Sequence, residues 1–378
     1  MVPHRFVPLM PFARPDTASL PFRVSCRVPK YQAFLTMPSV DIVIPCYNQG
    51  GFLPDSVGSV LGQQVDDLRI LIVDNASTDG SAEVARQLAS GDSRIELLLR
   101  STNQGPHASF NAGVDWARSD YFLILCADDI LAPGCLARAV NALQRHREAS
   151  FAFGGQLIWE ADAPCPAMAS ANDDASCSVV GAEEFIGIFS LPHRPVGTGS
   201  ILVRTTAQKQ AGLYRPELYY TDDLEMLMRL AALGGAVRID AIQGVRRRHG
   251  ANISAANWGS WQRELREVWA AYASFFAHEG SALPWGPPLE RKIRTNVANR
   301  AYWSAVSHRM RGLKAESVEL MAFSRSLDPA ATIIPPFAYW LRVENVGAFV
   351  TRRLREIFAQ RKPAHPRGPK NGSVPQKA

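Results

Sequence analysis

The sequence lacks the features of several protein classes. No run in its 378 residues approaches the ~20 consecutive apolar residues that a membrane-spanning helix needs, so we do not expect an integral membrane protein. The six cysteines are scattered and form no CxxC pair, which argues against a disulfide scaffold and for reduced thiols in a cytoplasmic protein. Neither GxGxxG nor GxxxxGK[ST] occurs, so a bound nucleotide would have no glycine-rich loop around its phosphates.

The net charge of +6 is carried by the two ends of the chain. Residues 337–378 contain nine Lys and Arg against two acids, and residues 1–36 contain five against one. The body, residues 37–336, therefore has a net charge of −5. A basic face for DNA is not expected on such a body, and we predict no nucleic-acid partner.

Between the ends, short apolar runs alternate with helical patterns. Strands are predicted at Val40–Pro45, Arg69–Asp74, Ile95–Arg100 and Tyr121–Leu125, with helices starting near Phe52, Ser81, His107 and Gly134. This alternation indicates a parallel sheet covered by helices on both faces.

After residue 150 the pattern loosens. Further strands are predicted at Ser150–Gly154, Gln156–Trp159, Ser200–Arg204, Ala236–Ile239 and Ile242–Arg246, and a helix at Asp222–Leu233. Ala161–Val180 is expected to be an irregular insertion, and the chain beyond Trp258 to be mostly helical to about residue 360.

Ligands of an open parallel sheet bind beyond the carboxyl ends of its strands. Two of the four predicted strand ends carry acids, Asp74 and the pair Asp128–Asp129. A nucleoside diphosphate without a glycine-rich loop would need a cation, and paired carboxylates suit Mg²⁺ or Mn²⁺. In isolation, however, the pair would rather indicate a turn that caps the next helix.

The motifs taken together resemble the family 2 glycosyltransferases. They are, in order, IVIPCYNQGGFLPDSVGSVLGQQ, LIVDNASTDGS, RSTNQGPHASFNAGVDWARSDYFLILCADDILAPGCL, TDDLEMLMRLAALGG and RRRHGANIS, and they extend from Ser39 to Ser254. The resemblance implies an α/β GT-A fold, which is Rossmann-like with a mostly parallel central sheet, helices on both faces and here a helical C-terminal extension. It also implies inverting transfer from a nucleotide sugar.

The resemblance assigns nucleotide-binding roles to residues at the strand ends. Tyr47 matches the residue beside the nucleobase, and Asp74 matches an acid that accepts a hydrogen bond from a pyrimidine imide N–H. An ionised carboxylate only accepts hydrogen bonds, so Asp74 would favour UDP or dTDP over a cytosine nucleotide. The matching positions are Pro45, Tyr47, Asn48, Asp74, Asn103, Gly105 and Asp128.

The resemblance assigns the chemistry to residues further along the chain. Asp223 matches the catalytic base that deprotonates the acceptor hydroxyl, and inverting transfer needs no covalent nucleophile. Asp128 and His249 match residues that approach the metal, Mg²⁺ or Mn²⁺. Without the resemblance, Asp223 would be interpreted as an acid that interacts favourably with the helix dipole, and His249 as a solvated surface residue. Any of Arg246–Arg248 could neutralise the leaving diphosphate.

Three positions depart from the family pattern. Asn75 replaces the second acid of its turn, and Phe110 replaces an arginine near the nucleotide. Cys126 replaces the first acid of the metal motif, so metal binding is expected to persist but to weaken. A thiol ligand from Cys126 is one interpretation, although a hard ion favours a cysteine without a role.

The resulting division of the chain has four parts. Residues 1–36 form a disordered leader, with Met37 a candidate for the true start. Residues 37–254 form the catalytic domain, with a nucleotide-binding half (37–150) and an acceptor half (151–254). A helical region (255–360) and a disordered basic tail (361–378) follow.

The C-terminal region raises the question of a membrane surface. Apolar residues at helical spacing between Val346 and Phe358, followed by basic residues, fit binding of 341–378 to an anionic membrane surface at the inner face of the membrane. Packing of this helix on the catalytic domain, with Arg353 snorkelling, is an equal alternative. The aromatic residues of the helical region could line an acceptor site, but a helical core is favoured: Trp258, Trp261, Trp269, Tyr272, Tyr302 and Trp303.

The predicted function is transfer of a sugar from a nucleotide-sugar donor to a glycan or lipid-linked acceptor in cell-surface polysaccharide synthesis. The alternative is a non-catalytic sugar-nucleotide-binding or scaffold protein, which Cys126 and Phe110 would favour. A nucleotidyltransferase is a further alternative, but it would need a glycine-rich, basic N-terminal loop, and the segment PCYNQGG does not provide one.

Overall fold

The computed structural model describes residues 38–168, 175–188, 201–252, 261–330 and 335–336. The predicted leader, the basic tail, the segment 341–378 and Trp258 lie outside the described residues. Among the helices of the described residues, none is long and apolar enough to cross a membrane.

The first half of the chain forms four parallel strands, each followed by a helix. The strands are β1 (Val40–Cys46), β2 (Leu68–Asp74), β3 (Ile95–Leu99) and β4 (Tyr121–Ile124), and the helices are α1 (Leu53–Leu61), α2 (Ser81–Gly91), α3 (Pro106–Trp116) and α4 (Cys135–Arg145). The strands lie in the order β3-β2-β1-β4. All eight predicted elements are confirmed, with ends shifted by at most three residues.

Helices cover both faces of this parallel part. Ile42 and Ile44 of β1 belong to one core cluster with residues of α1, α2 and α4, whereas Val43 packs with Val114 of α3 on the other face. Because successive side chains of a strand point to opposite faces, a strand buried on both sides must be apolar at nearly every position. This explains why β1 and β2 were readable from sequence.

The second half makes the sheet mixed. Its elements are β5 (Ile130–Leu131), β6 (Phe151–Glu160), β7 (Cys177–Val180), α5 (Ala182–Ile188), β8 (Ile201–Arg204), α6 (Thr205–Ala211), α7 (Asp222–Gly234) and β9 (Ala236–Arg248). Strand β8 lies antiparallel between β4 and β6, and β9 pairs parallel with β6 and antiparallel with β5 and β7. The parallel arrangement predicted from sequence therefore holds for β1–β4 but not across β8.

Several predictions for this half were wrong in detail. The two strands expected on either side of Gly155 are one strand, β6, and the two on either side of Asp240–Ala241 are one strand, β9. The β6–β9 register shifts at Gly154 and Gly155, and a Cβ on Gly154 would lie 2.4 Å from Cγ of Gln243. A bulge that only glycine can occupy explains why the sequence resembled two strands. Ala161–Val180, expected to be irregular, ends in β7.

The helical region packs on the second half of the sheet. Its helices are α8 (Trp261–His278), α9 (Gly286–Met310) and α10 (Lys314–Leu327), with a 3₁₀ turn at Gly280–Ala282. They share a core cluster with residues of β6, β8 and α7. Tyr272 is fully buried there and its hydroxyl donates to the carbonyl of Ile186 at 2.8 Å, so the core role favoured for these aromatic residues holds for Tyr272.

A buried ion network joins α7 to α8. Glu225 is completely buried, and its carboxylate accepts from Arg215 at 2.5 Å and from Arg229 at 2.8 Å. Arg215 also donates to Ser274 on α8 at 2.8 Å and pairs with Glu279. Both oxygens of Glu225 are thus compensated by cations that hold α7 against its neighbours.

We predict that Glu225→Ala lowers the free energy of unfolding by about 3–5 kcal/mol, because it leaves buried guanidinium groups without their anion. Chemical denaturation measures this. The matched control is Glu83→Ala, which breaks an exposed pair with Arg86 (side chains 65% and 54% exposed) and should change stability little. Equal effects of the two substitutions would contradict the role assigned to the network.

Candidate active site

The loop after β1 is tied to the turn after β2. Asn48, which has a positive φ of 53°, accepts from the backbone N–H of Thr78 at 2.7 Å, and its own N–H donates to Ser77 Oγ at 2.9 Å. The predicted ligand residue Asn48 therefore uses its side chain to hold two loops together. Tyr47 beside it is 47% exposed, and Pro45 is half-buried at the end of β1.

Asp74 presents a carboxylate oxygen that lacks a partner. The residue is 3% exposed at the end of β2, and its Oδ2 accepts from the N–H of Ser77 at 3.1 Å. Its Oδ1 is buried and has no hydrogen-bond partner among the described residues. A buried acceptor without a donor costs about 1–3 kcal/mol, so this oxygen points to a donor that a ligand would bring.

Asn75 shapes the loop that carries the next two predicted residues. Its Nδ2 donates to Oδ1 of Asn103 at 2.9 Å and to the carbonyl of Gly105 at 3.0 Å, and its Oδ1 accepts from the N–H of Gln104 at 3.0 Å. Gly105 has φ 81°, which favours glycine. Sequence reasoning saw in Asn75 only a missing acid, whereas a carboxylate could not donate these two bonds.

Three potential metal ligands lie together after β4. One ligand atom each of Cys126, Asp128 and Asp129 lies within 4.8 Å of the others. Asp129 accepts from the N–H of Arg247 at 3.0 Å, and burial, together with the charge of Asp128, raises the pKa of Asp129 to about 7. Two buried neighbouring carboxylates resist joint ionisation, and a divalent cation would remove that conflict. The two carboxylates therefore fit such an ion.

His249 is brought directly to this cluster. Its Nε2 lies 3.0 Å from Oδ2 of Asp128, and its ring stacks on Phe52 with centroids 4.6 Å apart. The N–H of Ala251 donates to Nδ1 of His249 at 3.3 Å, so we assign the ring proton to Nε2, which donates to Asp128. Asn252, which sequence reasoning missed, donates from Nδ2 to the same oxygen at 2.8 Å.

The three arginines before His249 differ in their surroundings. Arg247 is buried, pairs with Asp55 at 2.7 Å and lies 4.0 Å from the ring centre of Trp159. Arg248 pairs with Glu160 at 2.9 Å. Burial raises the pKa of both Asp129 and Asp223, and the charge of Arg246 opposes this rise in each, so its charge acts on both carboxylates.

Asp222 and Asp223 begin α7 and face the same region. Burial raises the pKa of both carboxyl groups, and in Asp222 the charge of Asp223 adds to this. Asp223 lines a small cavity with Tyr214, whose pKa is raised first by burial and then by Asp222, Asp223 and, least, Cys126. Tyr214 therefore lies within electrostatic reach of both the base candidate and the metal motif.

The predicted site residues thus collect along one edge of the sheet. Asp128 and His249 are in contact, and the charge of Arg246 acts on the carboxylates of both Asp129 and Asp223. Asp74 ends β2 at the same carboxyl edge, separated from β4 only by β1. Phe110 packs against Tyr214 with ring centres 5.4 Å apart. The roles assigned to these residues stay predictions.

Comparison with known proteins identifies the first part of this architecture. The family model described as Glycosyl transferase family 2 matches residues 41–157. The chain carries a family 2 glycosyltransferase domain. An uncharacterized glycosyltransferase of Haemophilus influenzae is 34% identical over 113 residues, which are 30% of this chain and 45% of that protein.

A second relative of the domain has a named activity. The GalNAc(5)-diNAcBac-PP-undecaprenol beta-1,3-glucosyltransferase of Campylobacter jejuni is 31% identical over 124 residues, which are 32% of this chain and 39% of that protein. The chain therefore spans less than half the length of both relatives.

The fold extends the similarity beyond the family 2 domain. Mannosyltransferase PcManGT from Pyrobaculum calidifontis, solved in complex with GDP-Man and Mn²⁺, aligns with a TM-score of 0.51 at 14% identity, over 86% of this chain and 87% of that one. The predicted α/β GT-A fold, with a central sheet covered by helices and a helical C-terminal region, is confirmed.

We predict that Asn75→Asp, which supplies the acid usual in the family, destabilises this protein by about 1–3 kcal/mol, because a carboxylate would face two acceptors in place of the amide donor. Thermal or urea unfolding measures this. Asn141→Asp, at an exposed position of α4, is the control and should have little effect. If Asn75→Asp left the stability unchanged, the amide would not be what holds the loop.

Proposed function

We propose that this protein is an inverting glycosyltransferase that moves a sugar from a UDP- or dTDP-sugar to a hydroxyl of a glycan or lipid-linked acceptor in cell-surface polysaccharide synthesis. The observation that carries the proposal is the buried, unpartnered Oδ1 of Asp74 at the sheet edge that also carries the Cys126–Asp128–Asp129 cluster. One feature suits a nucleobase and the other a diphosphate with its cation.

The nucleobase would be held by Asp74. Its Oδ1 accepts but cannot donate, so it complements the imide N–H of uracil or thymine and opposes the acceptor nitrogen that cytosine has at the same position. The exposed ring of Tyr47 stands near the end of the neighbouring strand, where it can lie against the base. The loop from Asn103 to Gly105, which Asn75 holds through its hydrogen bonds, would lie under the nucleotide.

Asp128 and Asp129 would hold Mg²⁺ or Mn²⁺, with His249 beside them. When bound, such an ion neutralises charge on the diphosphate and stabilises the leaving group. Arg246 contributes a fixed positive charge that acts on both Asp129 and Asp223. Because its charge reaches both of these carboxylates, we assign the diphosphate to Arg246 among the three arginines.

Asp223 would take the proton of the acceptor hydroxyl. Burial raises its pKa and makes it a stronger base than an exposed carboxylate, while the charge of Arg246 opposes the rise. As the proton moves to Asp223, the acceptor oxygen attacks C1 of the sugar from the face opposite the diphosphate, and the bond from C1 to the diphosphate oxygen breaks. The configuration at C1 is inverted.

The acceptor class is inferred from the relatives. The Campylobacter jejuni relative is named for transfer to a polyprenyl-diphosphate-linked glycan, which supports a lipid-linked acceptor here. Attachment to an anionic membrane through 341–378 stays a prediction, since that segment lies outside the described residues.

A non-catalytic nucleotide-sugar-binding protein is the second candidate. It is favoured by Cys126, which removes a carboxylate from the metal motif, and by Phe110, which packs on Tyr214 and His107 in place of an arginine. The contact of His249 with Asp128 argues for an intact site.

We predict metal-dependent hydrolysis of UDP- or dTDP-sugars by the purified protein, faster than that of GDP-sugars. Asp223→Asn should lower the rate of hydrolysis by about 100-fold or more, because the base is lost. Its affinity for the nucleotide, measured by calorimetry, should be unchanged. Asp115→Asn, at an exposed position of α3, is the control. Nucleotide binding without turnover of any donor would favour the second candidate.

We predict that Cys126→Asp strengthens Mn²⁺ binding about 10-fold, because a hard ion gains an oxygen ligand in place of a thiol. Asp128→Asn should abolish binding, and titration calorimetry measures both. The same change at an exposed cysteine, Cys165→Asp, should have no effect. An unchanged affinity of Cys126→Asp would place residue 126 away from the ion.

A further inference from the structure

His107 and Asp222 meet in a buried contact next to the proposed base. Nε2 of His107 lies 3.4 Å from Oδ2 of Asp222, and the two side chains are 6% and 11% exposed. Neither atom has a hydrogen-bond partner among the described residues, and the 3.4 Å contact itself lacks hydrogen-bond geometry, so a small movement of either side chain would let each atom satisfy the other. His107 stands in the first turn of α3, and Asp222 is the first residue of α7.

The second ring nitrogen of His107 fixes where the proton can be. The ring makes a hydrogen bond with the backbone of Leu218 that raises the pKa of His107, which identifies the carbonyl as acceptor. Because Nε2 is the unpartnered nitrogen, this bond is donated by Nδ1. In the neutral ring Nε2 then carries a lone pair, so a hydrogen bond between the two residues would take its hydrogen from the carboxyl group of Asp222.

The electrostatics agree with a protonated Asp222. Burial, and then the charge of Asp223, raise the pKa of Asp222 well above its ordinary value. Burial lowers the pKa of His107, and the hydrogen bond to Leu218 opposes this decrease without cancelling it. Both shifts favour the uncharged form of each group, a carboxylic acid that donates to a neutral imidazole.

We propose that His107 is a positioning residue of the transfer reaction: it shares one proton with Asp222, and this neutral pair holds the first turn of α7 so that Asp223 alone bears the negative charge of the acidic pair. The proposal rests on the proposed function of Asp223. Two adjacent carboxylates of which one is buried and one partly buried cannot both ionise easily, and a proton kept on Asp222 leaves Asp223 free to act as base.

The other charged groups around the pair leave this assignment intact. Glu225 on α7 acts on Asp222, but both of its oxygens are paired with arginines. The pKa of His107 is lowered by burial, and Glu217, in the loop before α7, opposes this less than the hydrogen bond to Leu218 does. Arg246 on β9 acts on Asp223, and the phenol of Tyr214 stays neutral because burial raises its pKa.

The pair also connects two parts of the site. His107 follows Gly105 by two residues, so the start of α3 carries both the end of the predicted nucleotide loop and the contact to α7. A donor that orders this loop would thereby hold His107 against Asp222.

The test uses the full chain and compares two substitutions at each position. Asp222→Asn keeps the shape and a donor for Nε2, so we expect less than about fivefold loss of kcat for donor hydrolysis. Asp222→Ala and His107→Leu remove the contact and should lose about 10- to 100-fold in kcat, with donor KM unchanged, as expected for a displaced base. His107→Gln, which restores an acceptor, should recover most of the loss.

A spectroscopic measurement tests the proton directly. The ¹⁵N shifts of His107 should show a protonated Nδ1 and an unprotonated Nε2 at neutral pH, and Asp222→Ala should change the Nε2 shift. An imidazolium at neutral pH, equal losses in His107→Leu and His107→Gln, or a loss in Asp222→Asn as large as in Asp223→Asn would each overturn the proposal. If wild-type protein turned over no donor, the proposed function would fail and the positioning role with it, while the ¹⁵N shifts would still decide whether the pair shares a proton.

Discussion

Burial of carboxylates at one edge of the sheet is the constraint on which the site depends. A carboxylate removed from water needs a donor, a cation or a proton, since its ionised form is otherwise too costly. The edge that the strands β1, β2 and β4 share with the start of α7 carries four buried carboxylates, Asp74, Asp128, Asp129 and Asp222, and the partly buried Asp223. How each is compensated separates the structural acids from those that await a ligand.

The compensation differs from one acid to the next. Oδ2 of Asp222 lies 3.4 Å from His107 without a hydrogen bond, and Asp128 accepts from His249 and Asn252. Asp129 accepts from one backbone N–H, and burial together with the charge of Asp128 raises its pKa to about 7. Oδ1 of Asp74 has no donor among the described residues. Among these acids, the buried oxygens without a partner in the described part of the chain are thus those of Asp74 and Asp222, and the one of Asp74 lies where a nucleobase is proposed.

Sequence reasoning was accurate where local pattern decides the structure. The runs that became β1 and β2 are apolar at almost every position, and Asp74 and Asp128 could be placed because they follow such runs. The two-residue strand β5 and strand β7 have no pattern of their own and exist because β9 pairs with them. Asn75, Asn252 and His107 were missed for the same physical reason, since their roles arise from partners 28, 124 and 115 residues away.

The helix that carries the proposed base is held from two sides by different chemistry. At its start, Asp222 meets His107 of α3 in an uncharged contact, and one turn later Glu225 is held by Arg215, which reaches α8. A charged network tolerates no loss of a partner, whereas a neutral pair can keep its geometry while a neighbour gains or loses a proton. Asp223 lies between the two. The helical region therefore contributes to the site through the position of α7, although its own helices supply none of the acids at the sheet edge.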